Sequence, residues 1–293
     1  MNNNKLFAVL GLFLISIIWG ANIPYMKIAL NFSGPAEFAF LRNFFGSIIL
    51  FSIIIYLKKP IFIKEAPKLF ILGLFQTAGF TGFLTWALLE GIASKTVILV
   101  FTMPLWVSMM AWPLLKEKVT VGQWISSGVC LVGIVIIINP LNTSVSIFSC
   151  SLALASGFAW ACGAIISKKI HIMYPKLDLL TMTAWQMLWG SIPLFMVLLI
   201  VNSEPIIWNI FFINITLFNI IFVNAIAYLL WFFALKHLEA TLVSMLSLLT
   251  PITGAISAWI VLSEVPNEFE RVGYILILFS IFSLIYFRKK FNK

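Results

Sequence analysis

The sequence predicts an all-α polytopic membrane protein: ten transmembrane helices in two inverted-topology five-helix repeats. An apolar composition, an internal self-match and the placement of the basic residues carry that prediction. Of 293 residues, 62% are hydrophobic and only 10% charged, where soluble domains carry about 25% charged residues. Apolar runs of about 20 residues, enough to cross a bilayer as helix, recur from end to end. Runs such as Ile48–Tyr56 and Ile192–Val201 are continuously apolar, without the alternation of a transmembrane β-barrel.

The self-match joins Ala93–Glu117 to Ala240–Glu264 at a fixed offset of 147 residues. Without a gap, Ala93, Leu99, Pro104, Ala111, Trp112, Leu115 and Glu117 meet Ala240, Leu246, Pro251, Ala258, Trp259, Leu262 and Glu264. A repeat at fixed offset sets the architecture of the whole chain. Each proline precedes its glutamate by thirteen residues, roughly 20 Å of helix at 1.5 Å per residue. With the glutamates at the water surface, Pro104 and Pro251 fall near the middle of a ~30 Å hydrocarbon core. There the lost backbone hydrogen bond bends the helix, so both prolines are candidate hinges.

The spans follow in order. The first, 6–26, runs apolar past Trp19 without an A-x-A-like cleavage site and reads as an uncleaved helix, not a signal peptide. Spans 36–57 and 69–89 are separated by Lys58, Lys59, Lys64 and Lys68. Span 95–115 holds the first Pro–Glu copy, and 122–139 follows Lys116 and Lys118. Span 147–167 ends at Lys168 and Lys169, and its Trp160 answers Trp19. Span 178–201 follows Lys176; its Gly190-Ser191-Ile192 answers Gly46-Ser47-Ile48, which pairs Gln186 with Arg42. Span 210–235 ends at Lys236, and its Trp231 answers Trp86. Span 241–262 holds the second Pro–Glu copy, and 271–288 closes at Arg288, Lys289 and Lys290.

With the N-terminus inside, fifteen of nineteen basic residues fall in inside loops and tails. That satisfies the positive-inside rule and places both termini in the cytoplasm. Five spans per half is an odd number, so residues 140–293 enter the membrane upside down relative to residues 1–139. The net charge of +9 therefore reads as cytoplasmic loops and not as a nucleic-acid surface. Cys130, Cys150 and Cys162 show no CxxC spacing, which argues against a disulfide or zinc site.

These residues resemble the drug/metabolite transporter superfamily in its ten-span EamA-type branch. The likeness rests on Trp19-Gly20-Ala21-Asn22, its weaker counterpart Trp160-Ala161-Cys162-Gly163, and the Pro–Glu endings of the fourth and ninth spans. It covers essentially the whole chain, although Pro24 has Ile165 at the matching place. The resemblance implies a metabolite carrier, many such proteins exporting amino acids or related compounds, with a central cavity open alternately to each side. It also implies the cell membrane, the inner one in a Gram-negative bacterium, with lipid and a small-molecule substrate as partners and a monomer or homodimer as the assembly.

Candidate substrate-binding residues lie in six spans. Trp19 and Trp160 sit deep in their spans, where an indole face serves a substrate or ordinary packing; Asn22 is beside Trp19. Arg42 is a cation inside hydrocarbon: it reads either as the counter-charge of a substrate carboxylate or as a side chain that snorkels outward or pairs with Glu37. Gln76 opens a polar strip with Thr77, Thr81 and Thr85, followed by Trp86, and the seventh span adds Gln186. Asn224, Tyr228 and Trp231 share one face of an α-helix, with Asn224 either lining the cavity or joining helices. Glu117 and Glu264 read as surface-end residues, and His171 and His237 fall in inside loops. No Walker-type loop and no mid-span carboxylate is present, so no cofactor is expected and a membrane-embedded enzyme is disfavoured. A channel or a lipid scramblase-like protein is the alternative to a carrier.

Overall fold

The computed structural model describes residues 3–117, 121–138, 146–201, 204–265, 267–269, 271–276, 279–280 and 283. These residues form helices and loops without a strand. In chain order the helices are α1 (Asn3–Ala29), α2 (Pro35–Tyr56), α3 (Ala66–Glu90), α4 (Ala93–Leu115), α5 (Val121–Ile138), α6 (Ile147–Met173), α7 (Leu179–Ile200), α8 (Ile210–His237) and α9 (Ala240–Leu262). All but α5 are long and apolar enough to cross a membrane by length and composition. The 18 residues of α5 rise about 27 Å. Half of the expected tenth span, 271–288, falls outside the described residues.

Helix ends follow local chemistry. Pro35 opens α2 at a first-turn position, where its missing N–H leaves no bond unmade. Asp178 caps α7 by accepting the Thr181 amide at 3.1 Å, and Asn209 caps α8 by accepting the Phe212 amide at 2.8 Å. The helix α6 runs to Met173, so His171 lies in its last turn, 6% exposed, and not in a loop. The loop reading stopped the sixth span at Lys168, but this lysine bends back to the Leu235 and Leu238 carbonyls at 2.8 and 2.5 Å.

Four helices are irregular, in two matched pairs. Pro104 cannot donate to the Val100 carbonyl nor Pro251 to the Ser247 carbonyl. Instead of bending, α4 and α9 break. The first parts end at Val100 and Leu246; the second parts begin at Met103 and Leu249, across Phe101-Thr102 and Ser247-Leu248. The prolines thus open the second half-helices, a correction to the expected kink within a continuous helix. In α3 and α8 a widened π-helical turn occupies Leu74–Gly79 and Asn219–Ile226.

Packing sets α1 against α9 and α8, α2 against α7, and α6 against α4 and α3. Close approaches depend on absent side chains. A Cβ on Gly20 would lie 1.9 Å from Thr253 Oγ1, and one on Gly190 would lie 2.5 Å from the Gly73 carbonyl oxygen. Hydroxyls join the backbones: Thr253 donates to the Ser16 carbonyl at 2.8 Å and Ser156 to the Phe80 carbonyl at 2.9 Å.

Candidate functional site

The helices α1, α2, α3, α4, α6, α8 and α9 converge on a central cavity. Its volume is about 40 Å³, room for a few water molecules. Trp19, Asn22, Arg42, Trp160 and Tyr228 line it, together with Phe80, Leu84, Met103, Val223 and Thr250. The α4 break borders it through Val100, Phe101 and Met103, and α9 borders it through Thr250, the second residue after its break. Five of the ten candidate side chains from the sequence therefore meet at one place.

Arg42 neither snorkels nor pairs with Glu37. It is 2% exposed, donating to Asn219 Oδ1 at 3.3 Å and to Met26 Sδ at 3.1 Å. Asn219 and Asn22 exchange two amide hydrogen bonds of 2.9 Å each, so Asn219 fastens α1 and α2 to α8. The indoles of Trp19, Trp160 and Trp231 and the phenol of Tyr228 form one aromatic cluster, with Trp19 and Trp160 edge to face at 5.1 Å and Trp160 and Trp231 at 5.0 Å. Trp231 packs behind the lining, fully buried. The Tyr228 hydroxyl donates to the Gln76 carbonyl at 3.2 Å and Trp19 Nε1 to the Val223 carbonyl at 3.1 Å.

The remaining candidates lie elsewhere. Asn224 donates to Asn43 Oδ1 at 2.8 Å, and Asn43 donates in turn to Thr81 Oγ1 at 3.1 Å; this amide joins helices. Gln186 accepts the Thr77 hydroxyl at 2.7 Å between α7 and α3. The Gln76 side chain presses on Gly163, where an added Cβ would meet its Oε1 at 2.2 Å. Trp86 lines a separate cleft of about 410 Å³ with Leu30, Leu89 and Glu204. That cleft lies one helical turn beyond Met26 along α1, at the end of the bundle where α9 finishes.

Spacing did not reveal Asn219 or Thr250. Asn219 is five residues before Asn224, which on a regular α-helix sets the two about 140° apart; the π-helical turn between them changes that phase. Thr250 precedes Pro251 and was eclipsed by it. Its hydroxyl oxygen is buried without a partner among the described residues, as are Arg42 Nε and Trp160 Nε1.

At the two ends of the bundle, α4 and α9 are tied to one another. Glu117, at the end of α4, accepts the Ala240 and Thr241 amides at 3.0 and 3.3 Å. Glu264, at the end of α9, accepts the Ser94 amide at 3.1 Å. Each glutamate follows a left-handed residue, Lys116 or Ser263, both with φ of 57°. Beside them Lys168 holds the Leu238 carbonyl and Lys27 holds the Gly91 carbonyl. Neither glutamate is a mere surface end.

The EamA-like transporter family model matches this chain twice, over residues 6–139 and 147–286. Similar proteins include the uncharacterized transporter YoaV of Bacillus subtilis, 28% identical over 94% of this chain and 95% of its own. A probable amino-acid metabolite efflux pump of Salmonella typhimurium is 27% identical over 90% of each chain. An S-adenosylmethionine uptake transporter of Rickettsia prowazekii is 26% identical over 87% of this chain and 84% of its own. A solved protein structure superposes with a TM-score of 0.78 over 98% of this chain and 99% of that one; at 14% identity the likeness concerns the fold alone.

Proposed function

This chain belongs to the EamA-like transporter family, and from that premise we propose that it is a secondary carrier moving a small metabolite by alternating access. The solute is an amino acid or related compound, moved outward across the cell membrane, with both termini in the cytoplasm. Relatives named as amino-acid metabolite efflux pumps support the solute and the direction. The chain functions as ten helices in two inverted halves, 1–139 and 140–293. The double family match and the breaks of α4 and α9, one residue apart at the 147-residue offset, support that division.

One observation carries the mechanism: the same two broken helices border the central cavity and are tied at both ends by exchanged carboxylates. Each tie holds one end closed. Releasing the Glu264–Ser94 tie lets the first half of α4 swing from its break and opens the cavity on that side. Releasing the ties of Glu117 to Ala240 and Thr241 opens the other. A capping contact is worth roughly 1 kcal/mol and each 1.4 kcal/mol is tenfold in a population, so a bound solute shifts the balance with modest contacts. The cavity widens on opening to admit its solute.

Purified protein in proteoliposomes tests the reading. A carrier gives saturable flux of a radiolabelled metabolite and accelerated exchange when unlabelled solute is present on the far side. Flux that rises linearly with concentration and shows no exchange would instead support a channel or scramblase.

A further inference from the structure

We propose that the central cavity selects an apolar monocarboxylate, a molecule with one negative group and no companion ammonium, seating the carboxylate on Arg42 and the apolar body against Trp19, Trp160 and Phe80. The inference rests on reading this cavity as the transport site, and it narrows the proposed class of amino acids and related compounds to the related carboxylates that lack an ammonium group. Arg42 is the sole charged side chain among the described residues that line it. A guanidinium cannot shed its charge in a protein, and a buried charge calls for a partner of opposite sign. The partners present, Asn219 Oδ1 and Met26 Sδ, are neutral, and Nε has none among the described residues. The described ion pair, Lys59 with Asp178, lies in loops away from the cavity.

Two further features carry the same sign. The half-helices Met103–Leu115 and Leu249–Leu262 begin at the cavity, with Met103 and Thr250 of their first turns lining it. A helix N-terminus presents free amides and about half a positive charge, and in transporters such interrupted helices meet anionic groups. The Thr250 hydroxyl, 1% exposed and unpartnered among the described residues, is a donor beside one of them.

An ammonium group is badly served here. Among the described residues no carboxylate lines the cavity, and the amide oxygen of Asn22 already accepts from Asn219. The rings of Trp19, Trp160, Trp231 and Tyr228 are packed on one another at 5.0 to 6.2 Å, a wall and not an open cationic cage. A zwitterion would bring its positive group among features that all favour anions.

The test uses the full chain in proteoliposomes at neutral pH, with protein-free liposomes subtracted, and three solutes sharing a phenyl body: 3-phenylpropionate, phenylalanine and phenethylamine. The expected result is saturable uptake of 3-phenylpropionate with kcat/KM at least tenfold above that of phenylalanine, and no competition by phenethylamine. Arg42→Gln abolishes that uptake and Arg42→Lys restores part of it. Should Arg42→Gln fail to give monodisperse protein, the near-isosteric Thr250→Val reads the same site and raises KM several-fold. Phenylalanine carried as well as 3-phenylpropionate overturns the inference and leaves the carrier reading standing. So does monocarboxylate flux indifferent to Arg42→Lys and Thr250→Val. Absence of saturable flux for any solute in a broad metabolite mixture overturns both.

Discussion

Glu117 and Glu264 each cap the helix that the other terminates: the Glu117 carboxylate accepts the first amides of α9, and that of Glu264 accepts an amide in the first turn of α4. The two contacts lie at opposite ends of an antiparallel pair, so each bears on one opening. Glu264→Ala is expected to bias the protein toward opening at its own end, and Glu117→Ala toward the other. Losing a cap of roughly 1–2 kcal/mol shifts the ratio of states about 5- to 30-fold. A cysteine at Met26, with Cys130, Cys150 and Cys162 replaced, reports the shift through its rate of labelling by a membrane-impermeant maleimide added from one side. Equal rates in both variants would refute the assignment.

The Asn22–Asn219 pair predicts a compensating double substitution. Asn219→Leu leaves Asn22 and Arg42 each short of a buried partner, so it destabilises. Interhelical polar contacts in membranes average about 0.6 kcal/mol and reach about 1.7. Replacing both amides removes the unsatisfied Asn22 group, while Arg42 lacks Asn219 equally in both variants. Melting in detergent is expected to place Asn22→Leu/Asn219→Leu above Asn219→Leu alone; additive losses would argue against a coupled pair.

Glycine positions divide by what surrounds them. A methyl group on Gly190 would meet the Thr77 side chain at 2.4 Å and the Gly73 carbonyl at 2.5 Å, whereas one on Gly128 would have nothing within 4 Å among the described residues. Gly190→Ala is expected to cost about 1–3 kcal/mol through forced separation of α3 and α7, and Gly128→Ala to leave the melting temperature unchanged. Thermal unfolding followed by size exclusion compares the two.

Asp178 predicts a pH dependence. Its partial burial raises its pKa, but Lys59 at 2.6 Å and the Thr181 amide and hydroxyl outweigh that and hold it below the usual carboxylate range. A carboxyl lowered in the folded state stabilises above its unfolded pKa and loses that contribution as pH falls through the folded one. Asp178→Ala is expected to lose about 1 kcal/mol at neutral pH through the α7 cap, little of it from the half-exposed ion pair. Asp178→Asn keeps the cap and most of the stability. The gap between wild type and Asp178→Ala narrows in acid, which melting curves at pH 7 and pH 3 measure.

Helix positions were legible because hydrophobic runs and basic loops record the membrane directly: spans expected at 36–57 and 241–262 fold as Pro35–Tyr56 and Ala240–Leu262. The aromatic lining was legible too, since Trp19 and Trp160 lie deep in their helices. What escaped depends on departures from regular geometry. A π-helical turn rotates Asn219 into register with Asn22, and no residue type announces such a turn. Trp86 pairs with Trp231 by offset, yet one lines a separate cleft and the other backs the aromatic cluster. Sequence offset equates positions in the chain, while side-chain environment depends on neighbours from the other half. The roles of Glu117 and Glu264 were within reach: antiparallel helices bring each C-terminal carboxylate to the other's free amides.

Arg42 also has a history during synthesis. Its amide partner Asn219 lies 177 residues downstream, a delay of roughly 10–35 s at ribosomal rates of about 5–20 residues per second. Through that interval the arginine sits in a half-built bundle. Inserting such a cation costs roughly 2.5–3.5 kcal/mol, and only Met26 and the Phe38 ring, whose centroid is 6.0 Å away, are already made. The nascent chain therefore waits on its eighth helix before the cation finds its amide. Ribosome stalling or truncation before residue 219 would leave a species that the membrane's quality-control proteases can recognise by that one exposed charge.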